Sequence, residues 1–223
     1  MKITQDLDDL QRVRLSYEVG VYDAQPCAPM LVMDHLLSHV VAPRAGLAEA
    51  ITYLSSSSGP LLTANPLAPA SVEVLKGIRS YEACGATNVA WKYSDIHHGA
   101  VPVVVDDCLP GETITREGGI ALGHFTLHLP CTSRISGSMF ALREGWVATN
   151  ASITGSSPAP SLDRLHRKLG VLLMLSGDLD ASGFVIPAAW IREVPEWETY
   201  QLLFKTVGLD LTCAHSTKDN NHD

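Results

Sequence analysis

The chain has 223 residues, of which 46% are hydrophobic and 18% are charged, a composition that is typical of a globular protein and excludes disorder over most of its length. Its net charge of −8, without any run of basic residues, argues against a surface that neutralises phosphates, so we expect no nucleic-acid partner. No stretch approaches about eighteen consecutive apolar residues, and the acidic N-terminal segment does not resemble a secretory signal. We therefore expect a soluble, cytoplasmic protein with no membrane partner.

Strand and helix patterns alternate in the first third of the chain. "RVRLSYEVGVYD" (12–23) alternates apolar and polar residues, which predicts a half-buried strand. Residues 30–54 have helical spacing with a break at "APRAG". A flexible "SSSSGP" and a segment with two prolines follow, and "SVEVLKGIRS" (71–80) predicts a short helix with Ser71 as its N-cap.

The remainder of the chain predicts strands and then helices. Residues 100–154 contain closely spaced strand patterns separated by Pro or Gly turns, which favours antiparallel pairing. A strongly amphipathic helix follows, with Ser161 as its N-cap and Gly177 as its stop, and "EWETYQLLFKTVG" (196–208) predicts a further helix.

This order of elements favours an α+β fold over an alternating βαβ fold. We predict one globular domain over residues 1–214, built on a central antiparallel sheet of about five strands with N-terminal and C-terminal helices on its flanks. The polar segment 215–223 is expected to be a disordered tail.

The five cysteines are an odd number and form no Cys-x-x-Cys pair, so we predict free thiols rather than disulfides or a zinc ribbon, and no cofactor. His35 and His39 lie four residues apart, a helical spacing that can hold a metal ion, but no carboxylate occupies a matching position, and a solvated helix surface explains them better. The cysteines are Cys27, Cys84, Cys108, Cys131 and Cys213.

One constellation of residues suggests nucleophilic catalysis. If a helix begins near Cys84 and runs to about His97, the thiol lies at the positive end of the helix dipole, which stabilises the reactive thiolate. His124 and Asn150 lie in predicted strands further along the chain, where neighbouring strands could present a base and its orienting partner. Cys84, His124 and Asn150 are therefore the candidate catalytic residues.

The order of these segments resembles the transglutaminase-like branch of the papain-like superfamily. The matching pieces, within residues 81–152, are "ACGATNVAW", "GAVPVVVDD", "GHFTLHL" and "GWVATN". The resemblance implies a Cys84 nucleophile, a His124 base and an Asn150 orienter that carry out acyl transfer on an amide or peptide, as a protease, amidase or cross-linking enzyme does. The branch usually has Asp at the third position, where this chain has Asn150.

Two alternatives stay open for the histidines. His124, Thr126 and His128 alternate along one predicted strand, so they line a polar pocket or face solvent on an edge strand. His97 and His98, with Gly99 and the later Asp107, faintly resemble the helix of hotdog-fold thioesterases. Pro102 would interrupt that helix.

A third alternative involves no chemistry at all. The strands would line the pocket of a small-molecule-binding or protein-interaction domain, and Cys84 would be a buried structural thiol. The apolar segments "LLMLSG" and "YQLLF", with Trp190 and Trp197 nearby, suit a homo-oligomer interface as well as a core.

Overall fold

The computed structural model describes residues 1–7, 9, 11–25, 31–33, 37, 39–78, 83–85, 98–107, 125–129, 139–141, 146–149, 161–192 and 196–214. Within these residues the helices are α1 (Ala42–Thr52), α2 (Pro69–Ile78), α3 (Ser161–Leu175), α4 (Ala188–Ile191) and α5 (Trp197–Lys205). The strands are β1 (Lys2–Leu7), β2 (Val13–Glu18), β3 (Leu31–Val32), β4 (Leu61–Thr63), β5 (Ala83–Gly85), β6 (Val101–Asp106), β7 (Phe125–His128), β8 (Met139–Ala141), β9 (Trp146–Ala148), β10 (Ala181–Ile186) and β11 (Asp210–Cys213).

The first sheet has five strands in the order β3-β2-β1-β4-β5. β1, β2 and β3 are antiparallel neighbours, whereas β4 and β5 run parallel to β1 because α1 and α2 provide the crossovers between them. The buried face of the hairpin carries Ile3, Val13 and Leu15. The opposite face carries three cross-strand polar pairs, Lys2–Glu18, Thr4–Ser16 and Asp6–Arg14.

The second sheet has six strands in the order β11-β10-β6-β7-β9-β8. All its pairings are parallel except that of β8 with β9. Pro102, which cannot donate a backbone hydrogen bond, is the second residue of β6, and the register of β10 shifts opposite it between Ala181 and Gly183. The irregularity in β10 therefore lets a proline occupy a strand that has a neighbour on each side.

The mixture of helices and strands is confirmed, but the single antiparallel sheet is wrong. The prediction of antiparallel pairing assumed hairpins between close strands. In the structure β6 and β7 are separated by residues 107–124 and run parallel. The far end of the chain adds two further strands that sequence periodicity did not indicate: β10 pairs with β6, and β11 pairs with β10.

Several individual elements match the sequence and others do not. The helices near 161 and 197 are confirmed by α3 and α5. The strand expected at 12–23 is confirmed only in its first half, because β2 ends at Glu18. The helix expected from Met30 is wrong in its first part, because Leu31 and Val32 form β3 and a helix begins only at Ala42. "APRAG", expected to break a helix, instead starts one, since a proline in the first turn costs no hydrogen bond. Ser71 lies inside α2 rather than capping it, and its hydroxyl bonds that of Thr206.

Helices α1 and α3 pack against each other and are buried along nearly all of their described lengths. They approach closely at Gly170, where a Cβ would lie 2.1 Å from Oγ1 of Thr52. The α1 side of this pair contacts β4 of the first sheet, and the α3 side reaches the second sheet through Lys168, which contacts Asp107 just after β6. The pair therefore joins the two sheets around one hydrophobic core.

Charged side chains on this buried helix pair are held by partners from other elements. Arg44 of α1 is fully buried and donates hydrogen bonds to the carbonyl oxygens of Val207, Gly208 and Ser176. Burial lowers the pKa of Arg44 to about 10, partly offset by the nearby charge of Asp180. The guanidinium thus fastens the start of α1 to turns at the ends of α3 and α5.

Candidate functional site

Of the three predicted catalytic residues, Cys84 lies in the part of the chain that the structure describes. Cys84 is the middle residue of β5, opposite Leu62 of β4 in the first sheet. It is a strand residue, so it is not itself the first residue of a helix. The rest of the expected helix, up to His97, lies outside the described residues.

His124 and Asn150 lie outside the described residues, but each is adjacent to one that is described. His124 precedes Phe125, the first residue of β7, and Asn150 follows Thr149, directly after β9. Because β7 and β9 are parallel, Phe125 and Thr149 lie at opposite ends of these two strands. The triad of Cys84, His124 and Asn150 therefore stays a prediction from sequence.

Two interpretations of the histidines are contradicted by the strands around them. The solvent-facing edge strand is wrong, since β7 has β6 and β9 as neighbours and the side chain of His128 is only 9% exposed. The helix that a hotdog fold requires around Pro102 is also wrong, since Val101–Asp106 is a strand. Of His35 and His39, which were expected on a solvated helix surface, His39 is exposed in a coil before α1, and His35 is outside the described residues.

The structure brings a different set of polar residues together at the carboxyl ends of the parallel strands. β6, β7, β9 and β10 run in the same direction, so their last residues meet at one edge of the second sheet. Open parallel sheets bind ligands at such edges, because loops and helix termini converge there on the strand ends. We call this group the carboxyl-edge site; its members are Asp106, Asp107, His128, Thr149, Lys168 and Trp190.

Asp107 is held by two donors from two different helices. Nζ of Lys168 in α3 lies 2.6 Å from Oδ1, and Nε1 of Trp190 in α4 donates to Oδ2 at 2.8 Å. The ammonium also lies 4.4 Å from the centre of the indole ring, a distance that allows a cation–π interaction. The side chain of Lys168 is 9% exposed, whereas that of Asp107 is 33% exposed. The carboxylate is therefore fixed in position but remains open to solvent.

Asp106 forms a second pair with His128 across the β6–β7 ladder. The two residues are opposite each other in register, and Nδ1 of His128 lies 3.9 Å from Oδ2 of Asp106. Backbone hydrogen bonds from Leu129 to Asp106 and from Thr149 to His128 extend the ladder beyond the strand ends. The two side chains therefore lie beside each other at the ends of two parallel strands, at a separation beyond hydrogen-bond distance.

Another polar cluster occupies the carboxyl end of β4 in the first sheet. The fully buried Glu49 of α1 accepts hydrogen bonds from the backbone N–H groups of Ala64 and Asn65 and from the Asn65 side chain, which also donates to Gln5. Burial raises the pKa of Glu49 to about 7, and these hydrogen bonds offset only part of the rise. All of its bonds fasten the loop between β4 and α2, so we assign this cluster a structural role.

Neither cluster meets the requirements of a metal centre. Within the described part of the chain, no group of three or more His, Cys, Asp or Glu side chains is arranged to hold a metal ion. No helix among the described residues is long and apolar enough to cross a membrane. Cys213, the cysteine whose side chain is described, is a free thiol.

Asp107, His128 and Trp190 appeared in the predictions from sequence only in other contexts. Asp106, Thr149 and Lys168 did not appear in those predictions as candidate site residues. The run "VVVDD" was the sequence pattern that could have indicated Asp106 and Asp107. A buried parallel strand is continuously apolar, and the residues that follow it lie at the edge where such sheets bind ligands. Lys168 gave no such signal, since its position within "HRK" resembles the polar face of an ordinary helix.

Comparisons with protein-family models, with curated proteins and with solved structures give no match to this chain, so the chemistry of the carboxyl-edge site is argued from its own residues.

Proposed function

We propose that the protein binds a small polar molecule at the carboxyl-edge site. The observation that carries this proposal is the arrangement of Asp107, whose partly exposed carboxylate is fixed by Lys168 and Trp190 at the edge where the parallel strands of the second sheet end. Holding a carboxylate in this way has an energetic cost, because Lys168 is almost entirely removed from water. A ligand-binding group gains from being fixed before the ligand arrives, since less conformational freedom is then lost on binding.

The acyl-transfer hypothesis rests on the sequence resemblance and has less support. Of its three residues, Cys84 lies in β5 of the first sheet, and the other two are outside the described part of the chain. It is tested by the pH dependence of iodoacetamide alkylation of Cys84, in the native chain and in His124→Ala. A Cys84 that reacts fastest of the five cysteines, and loses this advantage without His124, would support the thiolate–imidazole pair.

Thermal unfolding in the presence of small probes tests the binding proposal. A ligand that binds only the folded state raises Tm. Once the ligand concentration exceeds Kd, this rise increases with the logarithm of that concentration. The probes are D-ribose, glycerol, ethanolamine, sodium acetate and sodium phosphate, each at millimolar concentration. We expect at least one to raise the Tm of the native chain and not that of Asp107→Asn.

Glu73→Gln provides the matched control, because Glu73 forms an exposed ion pair with Lys76 on α2. The control should respond to the probes as the native chain does. If no probe raises Tm, or if Asp107→Asn responds as the native chain does, the proposed binding site is wrong.

A further inference from the structure

We propose that Ser55 is a nucleophile that attacks esters, with His166 as its base and Tyr200 as the residue that positions the imidazole. The proposal starts from a row of three side chains in which the imidazole of His166 lies between the two hydroxyl groups. The row joins the turn after α1 to α3 and α5. It does not depend on the carboxyl-edge site, because His166 and Lys168 are two residues apart on α3 and point to opposite sides of the helix.

The contacts of His166 match those of a base beside a serine nucleophile. Nδ1 lies 3.4 Å from Oγ of Ser55, and Nε2 lies 2.7 Å from the hydroxyl oxygen of Tyr200. The distance between nucleophile and base is at the long end of a hydrogen bond, as is common for such pairs before a substrate binds. A base of this kind is oriented by a third group on its other nitrogen, and Tyr200 occupies that position.

The exposure of the three residues suits these roles. Ser55 is exposed, so a substrate reaches its hydroxyl from solvent, whereas His166 is 1% exposed and Tyr200 is 6% exposed. The turn that carries Ser55 is fixed, because the backbone N–H groups of the next two residues both donate to the carbonyl oxygen of Tyr53. A fixed turn and a buried base keep the nucleophile and the base in one relative position.

The reaction uses one tautomer of the imidazole. Nε2 carries the proton and donates it to the oxygen of Tyr200, so that Nδ1 accepts the proton of Ser55. Burial raises the pKa of Tyr200 to about 12, so the phenol stays neutral while the imidazole gains and loses its proton. The imidazolium that forms lies near the C-terminal end of α1, where the helix dipole stabilises a positive charge.

Each proton and each leaving group of the reaction has a defined destination. As Oγ of Ser55 forms a bond to the carbonyl carbon of the ester, its proton moves to Nδ1 of His166. The ester C–O bond then breaks, and the alcohol leaves with the proton from Nδ1, which gives acyl-Ser55. Water, deprotonated by the same nitrogen, releases the carboxylic acid and restores Ser55.

Labelling of the full chain with an alkyl fluorophosphonate tests the proposal, because this reagent forms an O–P bond with activated serines and loses fluoride. Peptide mass spectrometry identifies the modified residue. We expect the label on Ser55 of the native chain and its loss in Ser55→Ala. Ser58→Ala is the matched control, since Ser58 is exposed in the same run of four serines, and it should keep the label on Ser55. A label on other residues alone, or no label, would overturn the proposal.

Two further variants test the base and the positioning residue. His166→Gln should lower the rate of labelling about 100-fold or more, the contribution of a general base. Tyr200→Phe should lower it about tenfold, because the imidazole loses the hydrogen bond that orients it. An unchanged rate in His166→Gln would mean that Ser55 reacts without a base, and the proposed roles would be wrong.

The pH profile of the native chain decides the matter if these variants fail to fold. The rate of labelling should rise with pH and then level off, because the imidazole of His166 accepts the serine proton only in its neutral form. Tyr200→Phe should keep this shape at a lower plateau, which a general loss of structure would not produce. A native rate that follows the hydroxide concentration without a plateau would contradict the role of His166.

Discussion

Several buried polar side chains of α1 and α3 are held by partners from other elements. Lys168 is paired with Asp107, and Arg44 donates to three carbonyl oxygens. His166, the residue two positions before Lys168, lies 2.7 Å through Nε2 from the Tyr200 hydroxyl, whose pKa is raised to about 12 by burial. These contacts replace the water that the side chains lose when they are buried.

The Lys168–Asp107 pair should contribute more to stability than an exposed pair. We expect Asp107→Asn to lower the free energy of unfolding by about 1–3 kcal/mol, because it leaves the ammonium of Lys168 unpaired on a side chain that is 9% exposed. Lys168→Met should cost less, because the carboxylate of Asp107 is 33% exposed and keeps its hydrogen bond from Trp190. Urea denaturation measures the effect, and the double variant should cost less than the sum of the two. Glu73→Gln, in an exposed pair, should cost less than about 0.5 kcal/mol, and an equal loss in all three variants would contradict the assignment.

The buried carboxyl group of Glu49 should make stability depend on pH. Its pKa in the folded state, about 7, exceeds the ordinary value of 4.5 for a glutamate, so the unfolded state loses this proton first as pH rises. The stabilising contribution of the protonated form is present below about pH 4.5 and is lost as pH rises to about 7, a change on the order of 3 kcal/mol.

Glu49→Gln removes this titration. The free energy of unfolding of the native chain, relative to that of Glu49→Gln, should fall between about pH 4.5 and 7 and level off above this range. Urea denaturation at a series of pH values measures the difference. A difference that rises with pH would mean that the hydrogen bonds from Ala64 and Asn65 outweigh burial.

At the scale of elements, α1 and α3 approach each other closely in the core. Gly170 allows it, since a Cβ there would lie 2.1 Å from Oγ1 of Thr52 and 3.3 Å from the carbonyl oxygen of Ala48. The Thr52 hydroxyl is itself bonded to that carbonyl oxygen, so it cannot easily move aside. Helix separation is thus set by one residue without a side chain.

Substituting two helical glycines distinguishes packing from helix propensity. Gly170→Ala should lower the free energy of unfolding by about 1–3 kcal/mol, because the methyl group forces the helices apart. Gly77→Ala in α2, where an added Cβ would meet nothing within 4 Å, should raise it by about 0.5 kcal/mol. Thermal and urea unfolding measure both changes. Stabilisation by Gly170→Ala would show that α1 and α3 adjust without cost.

At the scale of the whole molecule, the two sheets share one core. Residues of β1 and β4 in the first sheet belong to the same buried cluster as residues of β6 and β10 in the second. Neither half of the chain closes its core alone, because α1 and α3 each bury one side against the other. This arrangement favours a single cooperative unfolding transition.

Two probes of unfolding should therefore give the same midpoint. All four tryptophans lie after residue 90, so their fluorescence reports on the second part of the chain. Hydrogen exchange of peptides from residues 42–63, read by mass spectrometry in increasing urea, reports on the first. We expect coincident midpoints, and both should shift together in Arg44→Met, which removes the link from α1 to Val207. Two separate transitions would contradict a shared core.

The sequence by itself determined the elements whose signal is local. The alternation in β2 and the amphipathic spacing of α3 and α5 are properties of neighbouring residues, and they were predicted correctly. The composition likewise indicated a protein built around a substantial core, and the sequence alone suggested the Cys84 triad, which stays a prediction.

Only the tertiary structure decided the sheets and the candidate site. Strand direction depends on which distant strands pair, so β10 and β11 could turn an expected antiparallel meander into a largely parallel sheet. Asp107, Lys168 and Trp190 come from segments far apart in the chain, and they meet because the parallel strands end at one edge while α3 and α4 pack beside it. Periodicity describes one element at a time, whereas burial, pairing and charge compensation are set by contacts between elements.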